Sequence, residues 1–544
     1  MPRDKLDCMD SGTNMIRALF KDGLGDKLFS RLEGFSPDWN KWNTRLFALL
    51  LLALIAHFGI YAYSVVKVFP FPYQFKGWAG DEMMYNSWLL SQGQNFYVDP
   101  AKEVSAAYPY NPGFQFLAVP LVRIFGPRMW VGRLVAISGL VLTWALMFRA
   151  ARKLTGKALY GLIAVGLLMA TYGAMDAHFD DIHPDSWVVV FGLLSLALAE
   201  LALKKPAYIV PAALAAFLSF FFKQPGISFG AGAACFLFLS RPRYAAYYLL
   251  ILAALVTANF AIGQALTGGM YWDYTVVAPR GQHIIWIKIP ASIYSLISAF
   301  KFTIIFLLFM VINKPTSLPL SSAYAVALPF VFFLYGSASV VYGGGTMSNF
   351  FPATVLIAIL LACALRYVRA GMSPASPRLA LLLLSILLAQ NLSLFTSPTP
   401  IVTKEHYRAA RQVERIIRST PGEVLVFYRI AFAYLNGKRL YDNLVVEAEF
   451  KWRYGGRLES QLQSRYFERV ISPQRAINWG MWGRKIYDIL YENYEVETVI
   501  SSPPWFQTTP MVVLKRKSGG QGPGDKSPAS PGPAPAGRPP ALQE

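Results

Sequence analysis

The stretch LFALLLLALIAHFGIYAYSVVKV, residues 46–68, contains no acidic residue and is apolar over nearly its whole length. A hydrocarbon core of about 30 Å is crossed by roughly 20 apolar residues in a helix, so this stretch is long enough to span a membrane. It follows the largely polar residues 1–45, which makes it a membrane span rather than a cleavable signal peptide.

Similar apolar runs recur as far as residue 396 and predict a mainly α, polytopic transmembrane bundle of about eleven spans, give or take about two. The predicted spans are residues 46–68, 130–150, 158–176, 186–203, 207–222, 226–240, 243–263, 291–313, 318–341, 350–369 and 377–396. The half-hydrophobic stretch 114–125 is either a further span or an interfacial helix. The 544 residues are 54% hydrophobic and 15% charged, with a mean hydropathy of +0.37. A soluble protein could carry such a composition only by exposing large apolar patches.

The distribution of charge predicts the orientation of the bundle. Residues 1–45 are rich in Lys and Arg, which the positive-inside bias places in the cytoplasm. Every second loop is then basic and free of acids: 149–157, 204–205, 241–243, 314 and 366–378. The acids of the loops between them therefore lie on the non-cytoplasmic side. The formal charge of +20 is explained by this topology and by contact with membrane lipids, so we expect no nucleic-acid partner.

The chain divides into four predicted parts. Residues 1–45 form a cytoplasmic amphipathic arm on the membrane surface, and residues 46–396 form the transmembrane domain. Residues 397–517 form a small external α/β domain, because KEHYRAARQVERIIR has helical periodicity whereas GEVLVFY, VETVISS and MVVLKRK are typical of strands. Residues 518–544 are rich in Gly, Pro, Ala and Ser, which predicts disorder. Neither a disulfide in the external domain nor a cysteine metal site is predicted, since Cys235 and Cys363 lie in spans and Cys8 in the arm.

The motif GWAGDEMMYNSWLL, residues 77–90, places Asp81 and Glu82 just beyond the first span. A transferase acting on a lipid-linked substrate needs a base close to the bilayer surface, and one carboxylate can deprotonate an acceptor hydroxyl while its neighbour supports it or helps bind a metal. The alternative is that the two acids only cap a helix N-terminus, where negative charge is favoured.

A second acidic motif, YGAMDAHFDDIHPDSW, covers residues 172–187. Its side chains Asp180, Asp181 and His183 are candidate ligands for a divalent ion such as Mg²⁺ or Mn²⁺, and Asp185 is a candidate for binding a sugar. The alternative is a solvated acidic loop in which Asp185 caps a helix. The sequence leaves open whether a metal is needed.

Cations at the same predicted face are candidates for binding a lipid phosphate. Lys223 and Gln224 end a span in FFKQPG, and Arg280 lies in VVAPRGQH. The alternative for Lys223 is snorkelling, in which a helix-end lysine reaches past apolar surface to water.

In chain order, these motifs resemble those of the GT-C superfamily of membrane glycosyltransferases. The likeness is to the branch of the protein O-mannosyltransferases (glycosyltransferase family 39) and the lipid A aminoarabinose transferases. The resemblance extends over residues 46–396 and includes two further stretches, YPYNPGFQFLAVPLVRIFGPRMWVGRLVAIS (108–138) and GGGTMSNFFPAT (343–354).

Such a resemblance implies an enzyme that transfers one sugar, with inversion, from a polyprenyl-phosphate donor to a lipid, glycan or protein acceptor on the non-cytoplasmic side. The membrane would be a bacterial or archaeal plasma membrane. It implies Asp81 as general base supported by Glu82, Asp185 as the loop aspartate, and Lys223 with Arg280 on the donor phosphate. Gln224 and Tyr85 complete the predicted substrate-binding set.

This sequence departs from the family pattern at two places. HPDSW stands where Arg-x-Asp is common, and Asn349-Phe350 stands where a basic residue followed by Tyr is common. These departures affect the expected substrate more than the expected reaction. A different class of function, a transporter or flippase of a lipid-linked or polar substrate, is the alternative, although transporters place ionisable residues near the bilayer midplane and these spans are nearly free of them.

Overall fold

The computed structural model describes residues 39–518 with gaps at 78, 105, 282–285, 287, 289, 291–293, 295–320, 341–345, 370–376, 442–456, 475–483, 502 and 504–509. Residues 1–38 of the predicted amphipathic arm lie outside the described residues, whereas residues 39–45 form the first turns of a helix. The predicted disordered tail and the predicted span at 291–313 also lie outside them, apart from Ser518 and Tyr294.

The apolar part of the chain is helical. Its helices are α1 (Trp39–Val68), α2 (Gly80–Ser91), α3 (Gly113–Phe125), α4 (Met129–Thr155), α5 (Ala158–Ala170), α6 (Asp185–Ala202), α7 (Ile209–Phe222), α8 (Ile227–Ser240), α9 (Pro242–Leu266), α10 (270–281, with a π-helical turn), α11 (323–340, also with a π-helical turn), α12 (Phe351–Arg369) and α13 (Pro377–Leu394). Among the described residues, 5 helices are long and apolar enough to cross a membrane, and shorter apolar helices of 10–17 residues lie between them. The prediction of a polytopic helical membrane protein is confirmed.

The half-hydrophobic stretch at 114–125 forms α3, a helix of 13 residues with Pro120 inside it. It packs on α2, the helix that carries the Asp-Glu pair. Helix α3 therefore supports the helix on which the candidate site is built.

The two ends of the bundle differ in charge, as the loop pattern predicts. At one end Lys153 forms an ion pair with Glu200 at 2.6 Å, and the backbone N–H of Ala323 donates to the same carboxylate at 3.2 Å. Asp185 begins α6 and Glu200 lies near its end, which separates the two acids by about 20 Å along the helix axis. Asp185 thus lies at the opposite end of the bundle from the basic loops.

The C-terminal domain is built from α14 (Lys404–Ser419), β1 (Val424–Val426), α15 (Ala431–Tyr434), α16 (Arg457–Gln463), β2 (Arg469–Pro473), α17 (Arg484–Asn493), β3 (Tyr494–Ile500) and β4 (Met511–Arg516). Its sheet has the order β1-β2-β4-β3, with β1 and β2 parallel and the other neighbours antiparallel. The predicted helix and three of the strands are confirmed. Strand β2 is not predicted by the sequence pattern, because its short run RVISP lies between polar residues.

Alternation along the strands gives this sheet two buried faces. Val470 and Leu514 point into a core shared with α16 and α17. Ile471 and Val513 point the other way, into a core that includes α14 and continues into the transmembrane helices. Because apolar side chains fill the space between them without a break, the domain is docked directly on the bundle.

Candidate active site

The Asp-Glu pair lies at the start of α2, beneath the C-terminal domain. The chain leaves α1 at Val68, crosses the loop 69–79 and enters α2 at Gly80. Asp81 is 1% exposed and Glu82 is fully buried. The N-cap residue is Ala79, and no side chain makes a capping hydrogen bond there, so capping alone does not account for two buried acids.

Residues 427–436 of the C-terminal domain, here called the cover segment, lie directly on Asp81. The backbone N–H of Ala431 donates to Asp81 Oδ2 at 3.2 Å, and the Tyr434 hydroxyl donates to the Asp81 carbonyl at 3.5 Å. Arg429 donates to the carbonyl of Gly77 at 3.2 Å. Residues about 350 positions apart in the chain thus form one site.

The electrostatic environment of Asp81 suits a base. Burial raises the pKa of Asp81 to about 6, while the Arg429 guanidinium, the Ala431 hydrogen bond and Arg133 act in the opposite direction. Oxygen Oδ1 of Asp81 is buried and has no hydrogen-bond partner among the described residues. A buried carboxylate oxygen left unbonded is costly, and a carboxylate that titrates close to neutrality is well matched to proton transfer.

Arg429 is the buried cation whose charge lowers the pKa of Asp81 most. It is 1% exposed, and burial lowers its pKa, whereas the negative charges of Asp81, Glu82 and Asp181 raise it. A buried guanidinium close to several carboxylates offsets part of the desolvation cost of burying their negative charge.

The acidic motif supports the loop 69–79 instead of being solvated. Asp181 accepts hydrogen bonds from Gln74 Nε2 at 2.7 Å and from the backbone N–H of Gly77 at 2.9 Å. Asp180 forms an ion pair with Lys76 at 2.6 Å. Both acids are 4% exposed, so the alternative of a solvated acidic loop is wrong.

Gly77 packs closely against the acidic motif. A Cβ atom built on Gly77 would lie 2.3 Å from Asp181 Oδ2. A side chain at this position would displace the Asp181 carboxylate, which now accepts the Gly77 backbone N–H.

The three candidate metal ligands do not converge. Asp180 is held by Lys76 and Asp181 by Gln74, whereas the His183 ring contacts the Asp185 carboxylate through Nδ1 and the Tyr110 hydroxyl through Nε2. In the part of the chain that the structure describes, no group of three His, Cys, Asp or Glu side chains is arranged to hold a metal ion.

A second buried cluster surrounds Asp185 in the first turn of α6. Lys223 Nζ donates to both carboxylate oxygens, at 3.0 and 3.2 Å, and the Tyr335 hydroxyl donates to Oδ1. The Lys223 ammonium also lies over the rings of Tyr110 and Tyr335, 4.8 and 5.6 Å from their centroids. Asp185, Lys223, His183 and Tyr335 therefore form one unit, here called the Asp185 cluster.

Lys223 does not snorkel. Its side chain points inward, it is 4% exposed, and burial lowers its pKa to about 7. The snorkelling alternative is therefore wrong, and substitution of this buried, paired lysine is expected to be costly.

The remaining candidates are distributed differently. Gln224 donates to the carbonyls of Pro109 and Thr275, at 3.0 and 2.9 Å, and so joins the loop between α2 and α3 to α10. Tyr85 packs against Tyr434 of the cover segment, with ring centroids 5.4 Å apart. Arg280 is exposed at the end of α10, and no described contact brings it to Asp81 or to the Asp185 cluster.

The sequence patterns do not identify Arg133 or Arg429 as site residues. Arg133 donates to the carbonyls of Phe69 and Phe71, at 2.9 and 2.5 Å, and to that of Tyr73, so it fixes the loop before α2. Each arginine is a lone charge inside an otherwise apolar stretch. An isolated arginine in an apolar stretch is the sequence signal that could have identified both residues.

Part of this chain is similar in sequence to a known family. Residues 109–262, which include Asp185 and Lys223 but not Asp81, match the family model described as dolichyl-phosphate-mannose-protein mannosyltransferase. No curated protein sequence matches the chain.

Solved structures that share its fold include the following two. ArnT from Cupriavidus metallidurans, bound to undecaprenyl phosphate, has a TM-score of 0.53 and 11% identity, and the match covers 88% of this chain and 99% of that one. The archaeal oligosaccharyltransferase AglB from Archaeoglobus fulgidus, in complex with an inhibitory peptide and a dolichol-phosphate, has a TM-score of 0.53 and 12% identity, over 83% of this chain and 72% of that one.

Proposed function

We propose that this chain, a polytopic membrane protein with the GT-C fold, is a glycosyltransferase that moves a sugar from a polyprenyl-phosphate donor to a lipid, glycan or protein acceptor. The observation that carries the proposal is Asp81: a buried carboxylate with one unbonded oxygen and a pKa raised to about 6 by burial. The class of donor is supported by the two structures that share the fold, since ArnT is bound to undecaprenyl phosphate and AglB to a dolichol-phosphate.

In the proposed reaction, Asp81 Oδ1 takes the proton of the acceptor hydroxyl. The acceptor oxygen attacks the anomeric carbon of the sugar from the face opposite the phosphate. The bond between that carbon and the phosphate oxygen breaks, its electron pair leaves with the polyprenyl phosphate, and the anomeric configuration inverts. Because Asp81 is buried beneath the cover segment, this segment or the loop 69–79 has to move before an acceptor reaches Oδ1.

The Asp185 cluster is the proposed donor-phosphate site. Lys223 is the buried cation there and now holds the Asp185 carboxylate. A donor phosphate would take the place of that carboxylate on Lys223, with Arg280 as a second cation from α10. Asp185 would keep Tyr335 and become available to sugar hydroxyls.

A transporter finds less support in this architecture. In the described helices of the bundle, the Asp, Glu, Lys and Arg side chains lie within about two turns of a helix end. Arg133, near the start of α4, reaches out to loop carbonyls. A transporter site is instead expected near the bilayer midplane.

The direct test of the proposed function compares cells with and without the chain. Mass spectrometry of membrane glycolipids and glycoproteins should show at least one species that gains the mass of a single sugar only when the chain is present. Cells that produce Asp81→Asn at the same level should lack that species. Identical profiles in all three samples would contradict the proposal.

Orientation can be tested separately from activity. Single cysteines at the exposed positions Lys102 and Arg280, introduced into a cysteine-free background, should react with an impermeant maleimide added outside intact cells. A cysteine at Lys157, at the basic end of the bundle, should react only after the cells are opened. Labelling of Lys102→Cys and Lys157→Cys from one side would overturn the proposed topology.

The pH profile tests the role of Arg429 as a positioning residue. Arg429 lowers the pKa of Asp81, so Arg429→Gln should raise that pKa and move the acid limb of kcat/KM to higher pH. At a pH below the limb, kcat/KM should fall about tenfold for each unit of displacement. Arg429→Lys keeps the charge and should restore most of the profile.

A purely structural role for Arg429 would give a different result. Both variants would then lose activity at every pH, with the limb unmoved. That outcome would separate Arg429 from the ionisation of Asp81.

A further inference from the structure

Helix α14, the first element of the C-terminal domain, carries a row of basic side chains. They recur alternately four and three residues apart, which places them on one face of a helix. The row, here called the basic stripe, consists of Lys404, Arg408, Arg411, Arg415 and Arg418, and all are exposed. The opposite face, with Ala409, Ala410, Val413 and Ile417, is buried against the domain and the bundle.

Among the described residues, the positive charges of the stripe are not matched by ion pairs. None of these side chains forms an ion pair with any residue that the structure describes. Of the two acids of α14, Glu414 accepts a hydrogen bond from the Tyr73 hydroxyl at 2.7 Å, and Glu405 is hydrogen-bonded to Thr403. Glu405 also interacts electrostatically with Arg408, so it offsets at most one of the five positive charges.

Repulsion within the stripe favours an external anion. Like charges three or four residues apart on a helix are mutually destabilising. Arg418 Nε donates to the Asn436 side chain at 2.8 Å, and Arg415 Nε reaches the Arg411 carbonyl at 3.4 Å, but both acceptors are neutral. A bound anion would relieve this repulsion.

The position of α14 suggests which anion. Ser64, in the last turns of α1, donates to the carbonyl of Pro400 at 2.6 Å, and Phe71, just beyond α1, meets Tyr407 of α14 with ring centroids 5.1 Å apart. The outward face of α1 at this level is apolar and exposed, with Tyr63 at 52% and Val66 at 68%. Helix α14 therefore begins where the lipid-facing surface of the bundle ends.

We propose that the basic stripe binds anionic phospholipid headgroups at the membrane border. From Lys404 to Arg418 it extends about 21 Å, enough to contact several headgroups in a row. Basic residues beside a bilayer are attracted to its anionic lipids, and this attraction decays with distance from the surface over about one Debye length. The binding does not depend on which reaction the chain catalyses, and it holds α14 and the cover segment, linked through Arg418 and Asn436, at the bilayer.

A local probe can measure this binding on the whole chain in nanodiscs. A fluorophore on Gln412→Cys, an exposed position within the stripe, reports energy transfer to headgroup-labelled phosphatidylglycerol in a cysteine-free background. Transfer should saturate at a low fraction of phosphatidylglycerol, exceed that to labelled phosphatidylcholine and weaken in high salt. Arg408→Gln with Arg411→Gln should raise the half-saturating fraction on the order of fivefold per cation removed.

Two further variants isolate the stripe from net charge. Lys515→Gln with Arg516→Gln removes the same charge from exposed positions on β4 and should leave the titration unchanged. Arg408→Lys with Arg411→Lys should behave like the parent chain. Equal effects of the two charge-removing variants would overturn the proposal, as would inorganic polyphosphate displacing the lipid at concentrations too low to alter ionic screening.

Discussion

Asp81→Asn should lower the rate of sugar transfer by roughly two to four orders of magnitude, the usual contribution of a general base. Asparagine keeps the size of the side chain and an oxygen that can accept the Ala431 N–H, which now reaches Asp81 at 3.2 Å. It cannot take a proton from the acceptor. The measurement is single-turnover transfer by the purified, folded variant.

The same substitution should not weaken the fold. Because the pKa of Asp81 is raised from 3.8 to about 6, the native state binds more protons than the unfolded state between these values. The contribution of Asp81 to stability is therefore complete below the unfolded pKa and is lost as pH rises through about 6. At pH 7, Asp81→Asn should be at least as stable as the parent chain, and activity of the parent should rise with pH through about 6.

Two comparisons sharpen this prediction. Asp99→Asn makes the same chemical change in the loop that follows α2, at a partly exposed acid that pairs with Lys102, and should leave transfer unchanged. Glu82→Gln should cost less than Asp81→Asn if Glu82 only supports its neighbour, and about as much if both acids serve a metal. Near-normal transfer by a well-folded Asp81→Asn variant would rule Asp81 out as the base.

Lys223→Ala should lower the free energy of unfolding by about 3–5 kcal/mol, because it leaves the buried Asp185 carboxylate without its cation. The loss should be measured by denaturant titration in detergent. Asp185→Asn added to Lys223→Ala removes the uncompensated charge and should recover a large part of the stability.

The control for Lys223 is another lysine in an ion pair. Lys102 is 79% exposed and lies 3.6 Å from Asp99, so Lys102→Ala should change stability by less than about 1 kcal/mol. Equal losses in Lys102→Ala and Lys223→Ala would show that Asp185 and Lys223 are not a buried pair in the membrane-embedded protein.

The sequence is most informative where structure is local. Apolar runs predict the helices of the bundle because each run is long enough to form one by itself, and KEHYRAARQVERIIR predicts α14 because polar and apolar residues follow the helical period. Alternation of basic loops also groups Asp81, Asp185 and Lys223 at one end of the bundle, where the structure has them.

Long-range contacts could not be predicted in the same way. Nothing near Asp81 indicates that Arg429 and Ala431 lie on it, because that contact depends on how the C-terminal domain docks. Likewise, FFKQPG is compatible with a lysine that snorkels and with one that turns inward. Only the neighbouring Asp185, supplied by another helix, decides between the two.

The dependence of Asp81 on the cover segment also sets the order of events during synthesis. Asp81 is translated early, but its Ala431 and Arg429 partners leave the ribosome about 350 residues later. For most of its translation, the nascent chain therefore contains Asp81 without its Ala431 and Arg429 partners. Chains that end before residue 429 never gain these contacts. Translation through residue 436 is therefore needed before Asp81 can gain its contacts with the cover segment.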